Sequence, residues 1–139
     1  MRGLKINLPA VILISVSTGA IVGTAEEVTV QTMPPVVVDT VPRAGTTDVD
    51  PALKEIRVTF SKEMKTDRMW SWVMVSKETF PLITGKVRFL DDKRTCVAPV
   101  KLEPERTYVI WFNSTKHNNF RDSDNNPAVP YLLVFQTGE

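Results

Sequence analysis

The sequence predicts an all-β fold, a seven-stranded antiparallel β-sandwich, on three observations. The stretch Glu55 to Met64, E-I-R-V-T-F-S-K-E-M, alternates Ile56, Val58 and Phe60 with Arg57, Thr59 and Ser61. A half-buried strand needs this period of two, because successive side chains leave opposite faces of a sheet. Seven short runs rich in Val, Ile, Thr and aromatic residues are separated by turn signals. Ten prolines and few stretches of helical period leave little room for α-helix.

Composition bounds the answer further. The 139 residues suffice for one domain, and 42% hydrophobic with 24% charged residues is a globular composition. A net charge of +1 gives no reason to expect nucleic acid or an anionic membrane as partner. Cys96 is the single cysteine, so no internal disulfide can form. The core must hold unaided, which a domain of about 100 residues can do.

Residues 1–25 read as a secretory signal. Arg2 and Lys5 make a positive start, Leu8 to Val22 is mostly apolar, and Gly23-Thr24-Ala25 offers the small residues a signal peptidase reads. That apolar run of 15 residues is shorter than the roughly 20 a spanning helix needs, which argues against an uncleaved anchor. No cysteine stands directly after it, which argues against a lipid anchor. Cleavage is expected between Ala25 and Glu26. Removing Arg2 and Lys5 from 17 basic residues leaves 15 against 16 acidic ones. The expected organisation is a signal at 1–25, a tether at 26–33 and one domain at 34–139. The expected location is secreted, periplasmic or at the cell surface, with no membrane span after cleavage.

Pro34-Pro35 stiffens the start of the domain, since proline fixes φ and cannot extend a ladder. Val36 to Val41 is apolar and β-branched and makes the first strand. Residues 42–53 carry Pro42, Gly45 and Asp50-Pro51, so they form a loop, with Val49 placed to plug the end of the core. The Glu55 strand is central. After the polar residues 61–68 comes W-S-W-V-M-V, with Trp70, Trp72 and Met74 on one face. Thr84 to Phe89 is a further strand, residues 90–94 a hairpin loop, and Thr95 to Pro99 its partner, where Pro99 suggests an edge position. Thr107 to Asn113 and Tyr131 to Thr137 complete the set.

Leu102-Glu103-Pro104-Glu105-Arg106-Thr107-Tyr108 reads L-x-P-x-x-x-Y. It is similar to the tyrosine corner of Ig-like and fibronectin-like sandwiches, where a Tyr hydroxyl bonds back to the preceding backbone. Together with P-P-V-V-V-D-T-V-P-R-A-G-T-T-D-V, I-R-V-T-F-S-K-E-M and the terminal L-L-V-F-Q-T, the chain from Pro34 to Glu139 resembles the bacterial Ig-like domains first described in S-layer proteins (the SbsA type). The turn that reads D-x-x-G-N in that family is Asp122-Ser123-Asp124-Asn125-Asn126 here, with Asn125 in place of Gly. Asn tolerates positive φ better than most residues, so the turn is expected to survive. The resemblance implies an Ig-like or fibronectin-like fold, a mostly non-catalytic module, and structural roles for Tyr108, Leu102, Pro104, Trp72 and Phe60.

Candidate chemistry is sparse. Asp122, Asp124 and Asn126 match the first three ligands of a calcium loop, but Pro127 and Leu133 stand where Gly and a bidentate acid belong, so a polar turn is favoured. His117 is the only histidine and sits in a polar loop, which rules out a His-pair metal site. Ser114, His117 and Asp122 lack any nucleophile elbow or oxyanion hole around them. Cys96 lies in an apolar strand and is assigned to packing. Asn113-Ser114-Thr115 is a glycosylation sequon of a kind that arises often by chance. Trp70, Trp72 and Trp111 could form a carbohydrate-stacking platform, although core packing is favoured for the first two. No catalytic, metal or cofactor site is expected.

The leading function is a non-enzymatic binding, adhesion or structural module, monomeric, acting on a protein or cell-envelope partner. A second reading is a periplasmic copper carrier, whose sandwich and "F-S" strand look similar. Those carriers begin with a histidine ligand, whereas this mature chain would begin Glu26-Glu27, and its methionines are dispersed. A carbohydrate-binding module is the third. In a sandwich of this order the loops at 61–69, 91–94 and 114–130 gather at one end. They carry the candidate partner contacts Lys65, Arg68, Lys93, Arg94, Lys116, His117, Phe120 and Arg121. Phe120, alone among polar residues in the longest loop, is either a pin that folds back onto the core or an aromatic anchor for a partner.

Overall fold

The computed structural model describes residues 25–139, together with 3, 12, 14–19 and 23. Apart from those few positions, the expected signal segment lies outside the described residues. The strands are β1 (Val37–Val41), β2 (Glu55–Phe60), β3 (Trp72–Met74), β4 (Leu82–Ile83), β5 (Arg88–Phe89), β6 (Thr95–Lys101), β7 (Thr107–Phe112) and β8 (Tyr131–Gln136). They form two sheets of Ig-like topology. One is five-stranded, in the order β1-β2-β6-β4 with β5 also on β6, and the other is β3-β7-β8.

β2 is central, between β1 and β6, and Ile56, Val58 and Phe60 are fully buried. They face Tyr108, Ile110 and Phe112 of β7 and Leu133 and Phe135 of β8 across one continuous core. Each large side chain buried there contributes roughly 1.5–3 kcal/mol. Val49 is buried, bridges to Thr137 and closes one end of that core.

Two strand expectations need correction. The described chain has eight strands, not seven, because residues 84–89 do not make one strand. Ile83 pairs with Val100 and Arg88 with Val97, so residues 84–87 span only two residues of β6 and bulge outward. Gly85 sits in that bulge, where an added Cβ would come within 3.3 Å of the Pro99 ring. Pro99 is therefore not on an edge strand: β6 has β2 on one side and β4 and β5 on the other. Its carbonyl accepts the Thr84 N–H at 3.0 Å, and its missing N–H falls beside the bulge, where no carbonyl is left waiting. The near-continuous burial of Thr95 to Ala98 is that of a strand covered on both faces. On the outer face, Val97 lies in register between Arg57 and Arg88, whose guanidinium groups both bond Glu55, at 3.0 and 3.2 Å. Those two bonds, Arg88 first, hold the Glu55 carboxyl below its ordinary range.

At the pole opposite the 61–69 loop, the corner between β6 and β7 is closed by side chains. Tyr108 is buried, its ring stacks on Phe135 at 5.3 Å, and its hydroxyl accepts the Glu103 N–H at 2.7 Å. Leu102 is buried beside it, while Pro104 is exposed. Thr137 donates its hydroxyl to the Glu103 carbonyl at 2.6 Å and accepts the Arg106 N–H at 2.9 Å, which gives the terminal F-x-T a structural role. Tyr108→Phe is expected to destabilise by about 1–3 kcal/mol, because the Glu103 N–H loses its acceptor. An unchanged urea midpoint would refute this.

Candidate functional site

Backbone hydrogen bonds join the three loops into one surface. Phe60 N–H donates to the Arg94 carbonyl at 2.9 Å, Met64 N–H to the Lys93 carbonyl at 2.8 Å, and Lys65 N–H to the Arg121 carbonyl at 2.8 Å. Backbone groups leaving a sheet need partners, and here the neighbouring loops supply them.

Under that surface lies an ion pair that sequence reasoning missed. Lys62 is 5% exposed and Asp122 2% exposed, and the Lys62 ammonium sits 2.5 Å from Asp122 Oδ2. It also donates to the Gln31 carbonyl at 2.9 Å. Asp122 Oδ1 accepts the N–H groups of Asp124 and Asn126, and Oδ2 accepts the Asn126 side-chain amide. Burial pushes the Asp122 carboxyl up, but the Lys62 and Asn126 hydrogen bonds outweigh it and leave its pKa below the ordinary value. The calcium-like spacing is thus a turn around one buried carboxylate whose counter-cation is an ammonium. Asp124 is exposed, and among the described residues no three His, Cys, Asp or Glu side chains converge to hold a metal ion. Asn125 takes φ 69°, filling the position where the family pattern has Gly.

The second missed residue is Asn113, fully buried at φ 62°. Its side-chain amide donates to the Phe120 and Ala128 carbonyls at 2.9 and 3.1 Å, and its Oδ1 accepts the Phe120 N–H at 2.9 Å. This clamps both arms of the 114–130 loop. Its amide nitrogen is enclosed, so the sequon offers no acceptor in the folded chain. A residue able to adopt positive φ directly after a strand was the available signal.

Phe120 is fully buried and lies 4.8 Å from Phe60, with Phe112 and Phe89 edge-on to it. It is the pin, and as a partner anchor it is ruled out, because a ring with no exposed surface has nothing to offer a partner. Arg94 donates Nε to the Phe60 carbonyl, and Arg121 bonds the Asn118 carbonyl and side chain and the Asn125 carbonyl. Both are held by their own chain. Lys65 donates to Asn125 Oδ1 at 3.1 Å. Lys116 and His117 are exposed on a tight turn closed by Ser114, whose N–H donates to the His117 carbonyl at 2.7 Å.

Arg68 and Lys93 are brought together on the rim of an open groove of about 490 Å³. Trp70, Val87, Phe89 and Leu90 are half-buried along it, and Arg68, Lys86 and Lys93 are exposed at its lips. The 91–94 hairpin is rigid: Asp92 accepts the N–H groups of Arg94 and Thr95 and the Thr95 hydroxyl. Burial raises the Asp92 carboxyl, and these bonds more than offset it, so its pKa is lowered. The groove's second wall, 86–90, was not foreseen, since it depends on the bulge that separates β4 from β5.

The remaining tryptophans are placed differently. Trp72 packs edge-on to Phe112 at 4.8 Å. Its buried indole N–H finds no hydrogen-bond partner among the described residues. Trp111 is half-buried on the outer face of the smaller sheet, in register between Val73 and Leu132. Burial pushes the Cys96 thiol up to about 12, which keeps it protonated and inert at neutral pH. Among the described residues no helix is long and apolar enough to cross a membrane.

Comparison with known proteins gives one family. Residues 31–137 match the bacterial Ig-like domain. No curated protein matches the chain. The crystal structure of the S-layer protein rSbsC(31-844) is similar at 16% identity and a TM-score of 0.49, over 78% of this chain and 14% of that one. With its family pattern running from the first strand to the closing threonine, the chain belongs to the bacterial Ig-like domain family.

Proposed function

We propose that the chain is a secreted or cell-surface, non-catalytic Ig-like module of the S-layer type that binds a cell-envelope partner through its loop end. The observation that carries this reading is the construction of that end. Three loops from separate strands are hydrogen-bonded into one surface over a buried ion pair, and this surface holds exposed cations beside a groove. A rigid scaffold that presents loops in this way suits recognition, because little ordering remains to be done on binding. Arg2 and Lys5 ahead of the apolar run support export. The single histidine and the absence, among the described residues, of a converging metal-ligand group give the copper reading no support.

The test is retention of the immobilised chain on cell-envelope fractions. Charge reversal at Arg68, Lys93 and Lys116 is expected to lower retention about tenfold or more with an unchanged melting curve. Undiminished retention would move the binding surface elsewhere.

A further inference from the structure

We propose that the groove between residues 66–70 and 86–93 binds an anionic polysaccharide that carries carboxylates on its sugar rings. Trp70 is the stacking platform, and Arg68, Lys86 and Lys93 are the cationic clamp. This deepens the reading of the loop end as a binding surface and rests on it.

Charge is the first argument. The whole chain carries only +1, yet the groove gathers Arg68, Lys86, Arg88 and Lys93 against Asp67 and Asp91. Arg88 is paired with Glu55, while Arg68, Lys86 and Lys93 make no ion pair among the described residues. A guanidinium can take a carboxylate through two parallel hydrogen bonds, and the two ammonium groups add charge without fixed direction.

Backbone geometry is the second. Arg68 has φ 54° and Lys93 φ 56°. The left-handed region disfavours long side chains, and a turn with no other duty is ordinarily built with Gly or Asn. Two basic residues held there line one groove, and strained positions cluster at ligand clamps.

Hydrogen-bonding and stacking chemistry decides between ligand classes. Trp70, half-buried and packed against the core, also lines the groove beside the cations, and an indole in that position suits the C–H face of a sugar ring. The exposed carboxylates of Asp67 and Asp91 can accept hydrogen bonds from sugar hydroxyls, donors that the side chains of an acidic peptide lack. The adjacent strand, β5, is only two residues long, too short to template an added peptide strand.

Calorimetric titration of the chain with oligogalacturonate at low salt tests this, with neutral dextran and poly-L-glutamate as controls. Saturable binding of oligogalacturonate is expected, weakening with salt, with none to dextran and at least about tenfold weaker binding to poly-L-glutamate. Arg68→Gly with Lys93→Gly relieves the backbone strain, so the melting temperature should match or exceed that of the parent while affinity falls about tenfold or more. Trp70→Leu should lose affinity similarly. No binding of oligogalacturonate, equal binding of poly-L-glutamate, or full affinity in the double glycine variant would each overturn the assignment. If envelope retention depends on Arg68 and Lys93 while oligogalacturonate does not bind, the saccharide falls and the binding end stands. If neither assay responds to these residues, both fall.

Discussion

Lys62→Met is expected to destabilise the domain by about 3–5 kcal/mol at pH 7. The cause is the group left behind. Asp122 is 2% exposed, and without the ammonium its carboxylate would be buried with hydrogen-bond donors but no counter-charge. Combining Lys62→Met with Asp122→Asn should cost less, because no charge is then buried and the amide oxygen can still accept the Asp124 and Asn126 N–H groups. The pH dependence separates this account from simple loss of packing. In the parent, the folded Asp122 pKa lies below its ordinary value of 3.8. Its contribution is therefore complete above that value and is lost as pH falls through the lower, folded pKa. In Lys62→Met, burial acts with less opposition and raises the folded pKa, so the sign reverses: the variant's deficit relative to the parent shrinks on acidification. Urea titrations of both chains at pH 7 and pH 4 read this directly. A deficit equal at both pH values would refute the ion-pair account.

Asn113→Ala is expected to cost a comparable amount, about 3–5 kcal/mol. The buried Phe120 N–H and Ala128 carbonyl lose their partners, each worth about 1–3 kcal/mol when left unsatisfied. Ala is also poorly suited to φ 62°. The Phe120 carbonyl keeps one partner, the Ala128 N–H at 2.8 Å, so the loop should loosen without detaching. Asn113→Gly removes the same side chain while accepting the backbone geometry, so it should be the milder of the two. Hydrogen exchange at the Phe120 amide checks the mechanism: both variants should expose it, and protection equal to the parent's would refute the clamp.

What was legible in the chain follows from which physical signal each part carries. β2 and β7 alternate cleanly because one face of each is buried, and their boundaries stand within a residue of the period-two reading. The tyrosine corner was readable because its spacing reflects a fixed local geometry, although the hydroxyl accepts from Glu103 rather than donating to the backbone. Residues 84–89 were misread because a bulge leaves side-chain alternation on both sides of it intact while breaking the ladder. β6 was misplaced because a proline weighs toward an edge unless the neighbouring strand happens to part in front of it. Lys62 and Asn113 were passed over because polar residues after a strand ordinarily mean solvent, and burial of a charge depends on a partner 60 residues away in sequence. Phe120 carried a signal of its own, an isolated ring in a polar loop, but its direction depended on room in the core beneath.

The contact between Lys62 and the Gln31 carbonyl also has a mechanical meaning. The chain enters the domain beside the loop end, where Val37 pairs with Phe60, and leaves it at the other pole, where Thr137 and Gly138 meet Arg106 and Glu105. A pull applied to those two points runs along the strands, so the rungs of β1 on β2 and of β8 on β7 share the load in parallel instead of opening one after another. Force arriving at the upstream side first meets the ammonium of Lys62, which is bonded to Gln31 on one side and Asp122 on the other. Tension on the chain is thereby passed into the loop end, the same surface that bears the groove.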